Sequence, residues 1–96
     1  MNSNTSSEDF YSRFYDQLLE SQNWPGFYLF KFIVKSESTH LEDLKSFFDP
    51  KKAVFLEKTS SKNTFTSLSI KIKMSKPEQV IDIYKKSSKL EGIISL

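Results

Sequence analysis

The chain has no cysteine, and its 96 residues include one histidine and two glycines. The absence of cysteine excludes disulfides, thiolate nucleophiles, cysteine-ligated zinc and iron–sulfur clusters. A single histidine excludes a multi-histidine metal site, and two glycines leave no glycine-rich loop for phosphate. The composition therefore predicts a protein that is not an enzyme and that has no cofactor and no metal.

Charge of one sign and long apolar runs are also scarce. The formal net charge is +2, from 14 basic and 12 acidic residues, without a basic run. Phosphate binding needs clustered cations, so nucleic acid is a disfavoured partner. No stretch approaches the roughly 18 apolar residues of a membrane span, and the first ten residues do not resemble a signal peptide. We expect a cytoplasmic protein without membrane attachment.

The length of the chain allows one domain. The polar residues 1–7 predict a flexible N-terminal tail, and residues 8–96 predict a single domain. Apolar residues make up only 38% of the sequence while aromatic residues reach 15%, which indicates a core of few, large side chains.

Residues 8–22 have the period of an amphipathic helix. We expect this helix to pack its apolar stripe on the domain, although binding of a partner through the stripe stays open. The stripe consists of Phe10, Tyr11, Phe14, Tyr15 and Leu18.

Two segments alternate with the period of a strand. Residues 27–35 place Tyr28, Phe30, Phe32 and Val34 on one face, which should point to the core. Residues 64–74 alternate in the same way, with a turn before them in which Asn63 can take a positive φ. Their inward side chains should be Leu68, Ile70, Ile72 and Met74.

Two more strands and two helices complete the pattern. Residues 53–60 and 93–96 predict strands. Residues 77–89 predict a helix with an early proline, whose buried side should consist of Val80, Ile83, Tyr84 and Ser87. A short helix should begin at Thr39, which with Glu42 has the spacing of a capping box. Lone His40 in its first turn is expected to be a solvated surface imidazole, because no Asp, Cys or second His accompanies it.

After the first helix, the order of elements is βαββαβ. Two right-handed crossovers turn this order into a four-stranded antiparallel sheet with strand order 4-1-3-2 and two helices on one face. We therefore predict an α+β protein with a ferredoxin-like plait and an extra N-terminal amphipathic helix.

The sequence also resembles a known family. The stretches WPGFYLFKFIVK, TSSKNTFTSLSIKI and SKPEQVIDIYKKSSKLEGIISL are similar in order and spacing to the YbeD-like family of small bacterial proteins. The resemblance covers roughly residues 9–96, although the family usually has Gly at the position of Asn63. It implies a plait similar to ACT regulatory domains and no catalytic residues. A link to lipoate metabolism through genomic neighbours is implied in the same way.

The outward face of the two central strands is the candidate binding site. Lys31 and Lys71 should be near neighbours across the strands, and Leu29 and Ile33 lie between the lysines. Ordinary solvation of an open sheet face is the simplest interpretation, and an anion site or a docking surface for an acidic protein is the functional one. The candidate residues are Lys31, Lys35, Ser67, Ser69, Lys71 and Lys73.

Three functions are compatible with these patterns. The first is a regulatory module that binds a protein partner, and the second is a regulatory homodimer that senses a small ligand. ACT domains bind amino acids near the segment that corresponds to residues 35–40, which has no Gly here, so that mode is disfavoured. The third is weak RNA binding, which is disfavoured because the outward positions of residues 64–74 are Thr, Ser and Lys rather than aromatic. An acid–base enzyme using Tyr84 or Lys31 has no second group in support.

Overall fold

One antiparallel sheet organises residues 3–95, the part of the chain that this computed structural model describes, with side chains described from Glu8 onward. Its strands are β1 (Gly26–Lys35), β2 (Val54–Thr59), β3 (Phe65–Met74) and β4 (Ile94–Ser95). They lie in the order β2-β3-β1-β4, which is the predicted order seen from the other edge. The two strands with the clearest alternation therefore occupy the centre, as expected. Leu96, the expected end of the last strand, lies outside the described residues.

Three helices lie on one face of this sheet. They are α1 (Ser3–Ser21), α2 (His40–Ser46) and α3 (Pro77–Ser87), and α1 packs on α3. The helical backbone from Ser3 differs from the flexible tail expected over residues 1–7, of which residues 1 and 2 lie outside the described part. No proline or glycine separates residues 3–7 from the amphipathic segment, so nothing in the backbone ends the helix at Glu8. The α+β plait with an added N-terminal helix is confirmed.

The core lies between the sheet and the helices. The alternation of β1 buries Phe30, Phe32 and Val34 almost completely, and their neighbours on β3 are equally covered. The Phe30 and Phe32 rings are stacked with centroids 6.3 Å apart, so two large side chains fill the centre of the layer. The predicted inward residues of β3 are all buried: Leu68, Ile70, Ile72 and Met74.

Helix α3 buries more than its predicted stripe. Val80, Ile83 and Ser87 are buried as expected, and Tyr84 is half-buried. Ile81 is also buried, and it lies in the groove where α1 crosses α3. The apolar pattern missed it because the cover comes from α1, which is distant in sequence.

Two local predictions have different outcomes. Asn63 has φ 57° in the turn between β2 and β3, so it takes the left-handed conformation that was expected of it. The capping box at α2 is wrong, because Thr39 makes no side-chain cap hydrogen bond. Its backbone is already helical, with φ −78° and ψ −5°, whereas a capping residue needs an extended backbone.

Removal of the central ring tests this core. We expect Phe30→Ala to lower the free energy of unfolding by about 3–5 kcal/mol, since it leaves a cavity where Phe32, Phe48 and Tyr84 meet Phe30. The measurement is urea denaturation at equilibrium.

The matched control for this substitution is Phe27→Ala on the same strand. Phe27 is 59% exposed on the opposite face, so its loss should cost less than about 1 kcal/mol. Equal costs for the two variants would contradict the assignment of the strand faces.

Candidate functional site

The sheet face opposite the helices is open, and all the predicted site residues lie on it. The four lysines are exposed, and the two serines are half-buried. Their positions follow from the strict alternation of β1 and β3, whose inward side chains fill the core. These residues are Lys31, Lys35, Ser67, Ser69, Lys71 and Lys73.

The pairing register determines how the lysines are spaced. Lys31 lies opposite Ser69, and Lys71 lies opposite Leu29. Lys31 and Lys71 are therefore diagonal neighbours, a relation that separates Cα atoms by roughly 7–8 Å in antiparallel strands. This Cα separation is within about one Debye length at physiological salt, so the positive charges of the two residues add over the same part of the sheet.

Strand β2 widens this surface in a way that the sequence did not indicate. Val54 and Leu56 are 67% and 68% exposed, and Lys58 follows them on the same face. The register places Val54 beside Lys71, Leu56 beside Ser69 and Lys58 beside Ser67. This edge strand has only one neighbour and begins with three consecutive apolar residues, so alternation does not reveal its inward face and its facing depends on the register with β3.

We use the term open face for the outward side chains of these four strands. It carries five lysines, and none of its side chains within the described strands is acidic. Glu57, the one carboxylate of the described strands, points to the other side and pairs with Lys45 of α2 at 2.7 Å. The lysines are Lys31, Lys35, Lys58, Lys71 and Lys73.

Large apolar side chains stand between these lysines. They are 43% to 68% exposed, so the open face combines positive charge with accessible apolar area. A shallow depression of about 210 Å³ next to Phe65, Ile33 and Lys58 belongs to the same surface. The exposed apolar side chains are Phe27, Leu29, Val54, Leu56, Phe65 and Ile94.

Phe65 corrects the expectation that the outward positions of residues 64–74 lack aromatic residues, and Phe27 is a second aromatic ring on the open face. Phe65 points outward from β3 and Phe27 from β1, so the outward positions are not only Thr, Ser and Lys. The two rings stand at opposite ends of the pairing, where Lys35 faces Phe65 and Lys73 faces Phe27. RNA-recognition sheets stack two or three bases on their surface aromatics. The middle of this face offers Leu29, Lys31 and Ile33 instead.

The environment of His40 differs from the expectation of a solvated imidazole. Its side chain is 28% exposed, and Asp43 one turn later places Oδ2 at 3.5 Å from Nδ1. Nδ1 is inaccessible to solvent and has no partner with hydrogen-bond geometry, so the contact with Asp43 is loose. The signal for this contact was the spacing of three residues between His40 and Asp43, which brings two side chains together on a helix.

Two tyrosine hydroxyls meet on the helical side of β1. The Tyr28 and Tyr84 oxygens are 3.3 Å apart, and burial raises the pKa of Tyr84, with a further contribution from the hydrogen bond to Tyr28. Tyr84 therefore stays protonated at neutral pH and is a poor general base. Lys31 lies on the opposite face of the sheet, so these two groups do not form an acid–base pair.

The described residues contain neither a cluster of metal ligands nor a membrane-spanning helix. Within the described part of the chain, no group of three or more His, Asp or Glu side chains could hold a metal ion. Among the helices of residues 3–95, none combines the length and apolar character of a membrane span.

The buried hydroxyl of Tyr84 gives a prediction on pH. Its folded-state pKa lies above the unfolded value near 10, so Tyr84 supports the fold fully below about pH 10 and loses that contribution as the pH rises further. We expect the urea midpoint of wild type to fall more steeply above about pH 10 than that of Tyr84→Phe. Tyr28→Phe, which leaves the burial of Tyr84 in place, should keep most of the steep fall. Parallel profiles for wild type and Tyr84→Phe would contradict the burial of this hydroxyl.

Comparison with known proteins agrees with this fold. Two solution structures of HP0495 from Helicobacter pylori are similar to the chain. One has 19% identity and a TM-score of 0.60, covering 78% of this chain and 85% of that one. The other has 23% identity and a TM-score of 0.56, covering 76% of this chain and 87% of that one. At these identities the likeness shows the fold alone.

The family is established by the sequence itself. No curated protein matches the chain. Residues 20–96 match the family described as "Protein of unknown function (DUF493)", so α1 lies almost wholly before the matched region. The resemblance to YbeD-like proteins is thereby confirmed. The chain belongs to the DUF493 family.

Proposed function

We propose that the protein is a non-enzymatic regulatory module that binds an acidic surface of a partner protein on its open face. The observation that carries this proposal is the composition of that face: five lysines, six exposed apolar side chains and no carboxylate on the described strands. A cytoplasmic location remains our expectation.

Charge and apolar area have separate roles in this proposal. Lysines of one sign attract an acidic partner and raise the rate of encounter, and the effect weakens with salt. The apolar side chains supply affinity when the complex excludes water from them. Lys71 illustrates how both act together, because its Nζ lies 5.3 Å from the centroid of the Phe27 ring and its stem covers apolar surface.

A second copy of the chain fits the open face less well than an acidic partner. Two such faces brought together would place lysines against lysines, and like charges across an interface are destabilising. A homodimer, including one that senses a small ligand, would have to use another surface. RNA is also less favoured, because the central positions of the face lack aromatic rings.

The ligand mode of ACT domains finds little support in this chain. The hollow near the end of β1 has a volume of about 350 Å³ and is bordered by Lys35, Ser38, His40, Glu91 and Gly92. Gly92 comes from the segment before β4, and the loop between β1 and α2 itself has no glycine. Binding of an amino acid in the manner of ACT domains is therefore not part of the proposal.

The proposal predicts the effect of reversing two central charges. Lys31→Glu/Lys71→Glu should weaken binding of the protein partner on the order of tenfold or more, because it places two acids in the middle of a cationic face. The melting temperature should move by less than about 4 °C, since exposed lysines contribute little to stability. Partners are recovered from nuclease-treated lysate, identified by mass spectrometry and titrated in purified form at several salt concentrations.

Lys51→Glu/Lys52→Glu is the matched control. It makes the same change of charge in the exposed loop between α2 and β2, so partner binding should stay close to that of wild type. Equal loss in both variants would mean that net charge alone governs binding. Equal retention in both would mean that the lysines of the open face are merely solvated, and either result contradicts the proposal. Loss of binding on nuclease treatment would favour RNA instead.

A further inference from the structure

An aromatic pocket lies on the other side of the sheet from the open face. It has a volume of about 380 Å³, within the range of small-molecule sites, and it is formed where α1 meets β1, α3 and β4. Five aromatic rings line it: Phe10, Tyr11, Phe14, Tyr28 and Tyr84.

The walls of this pocket keep apolar area uncovered. Phe10 is 57% exposed, and Tyr11 and Phe14 are half-buried, although all three belong to the apolar stripe of α1. Only Leu18 of that stripe is fully buried, so α1 closes on the domain at its C-terminal end and stands open at Phe10. A ligand in the pocket would remove this aromatic surface from water.

The rings are arranged to accept another ring. Phe14 contacts Tyr84 edge-to-face with centroids 5.4 Å apart, and Tyr28 meets Tyr84 at 89°. Edge-to-face and offset contacts are the favoured geometries for aromatic pairs, and a planar guest extends them. An aliphatic guest would gain burial from the same walls but not these contacts.

The polar side chains that line the pocket, among the described residues, are uncharged hydroxyls. The Tyr28 and Tyr84 oxygens lie 3.3 Å apart at one side, and Ser88 and Ser95 add two more hydroxyls. Among the residues whose side chains the structure describes, none that lines the pocket is charged. Lys85 belongs to the neighbouring groove between α1 and α3, with its Nζ 5.2 Å from the centroid of the Tyr11 ring. A charged guest would lose hydration here without gaining an ionic partner.

We propose that this aromatic pocket binds a small, uncharged aromatic molecule that has one hydrogen-bonding group. That group forms a hydrogen bond with the hydroxyls of Tyr28 and Tyr84. The pocket is independent of the open face, because the filled core lies between the two. Three of its five rings come from α1, which precedes the region matched to the family. The pocket is thus a property of this chain rather than one that the family match assigns.

The test uses three probes of similar size: 2-naphthol, naphthalene and the anion 2-naphthoate. Their binding is measured by NMR titration, from shifts of the aromatic and backbone resonances. We expect 2-naphthol to shift the resonances of Phe14, Tyr28 and Tyr84 with saturation, and 2-naphthoate to bind at least about tenfold more weakly. Tyr84→Phe should weaken 2-naphthol about fivefold, the effect of one neutral hydrogen bond, and leave naphthalene unchanged.

A blocking variant places a large side chain at the rim. Ser88→Trp should abolish the saturable shifts. Its control is Ser46→Trp, because both serines lie at the C-terminal end of a helix and donate a hydrogen bond to the carbonyl three residues earlier. If Ser88→Trp does not fold, Phe10→Ala replaces it, with Leu19→Ala as the control at another exposed site of α1. Absence of saturable binding, binding that the blocking variant leaves intact, or equal binding of 2-naphthoate would overturn the proposal.

Discussion

The antiparallel pairing of β1 with β3 is the constraint on which the rest of the structure depends. Ten consecutive pairs, from Gly26 opposite Met74 to Lys35 opposite Phe65, lock the two alternations together. A slip of one residue would move Phe30 and Phe32 to solvent and the lysines into the core. Burial of those rings and exposure of those charges therefore stabilise the same register. The open face and the core are two consequences of one pairing.

Features that depend on local periodicity could be predicted from the sequence. The facing of β1 and β3, their central position and the positive φ of Asn63 needed only side-chain alternation, crossover handedness and turn chemistry. The errors are of two kinds: some had a local signal, as the spacing of His40 and Asp43 shows, and others had none. Ile81 is covered by α1, and Thr39 is helical although its spacing suits a cap. No pattern within either segment contains that information.

The residues of the candidate site also fall into two groups, those that local alternation predicts and those that depend on the pairing or packing of other segments. Its six predicted residues are on the open face because alternation alone put them there. Phe27 and Phe65 lie within the predicted strands 27–35 and 64–74, and the same alternation places both rings outward, so a local pattern was enough to predict them. Val54, Leu56 and Lys58 needed the register of β2 with β3. The aromatic pocket needed the packing of α1 on α3, which an amphipathic stripe does not specify.

Two consecutive residues of the central strand β1 belong to different surfaces, one to the aromatic pocket and one to the open face. Tyr28 lines the aromatic pocket, while Leu29 next to it lies on the open face beside Lys71. Phe30 and Phe32 of the same strand are fully buried in the core between the sheet and the helices. The core therefore fixes the position of β1, and β1 in turn holds the residues of both surfaces in place. Substitutions of outward side chains therefore leave the walls of the pocket intact, and the charge of one surface is separated from the neutral lining of the other by the thickness of the sheet.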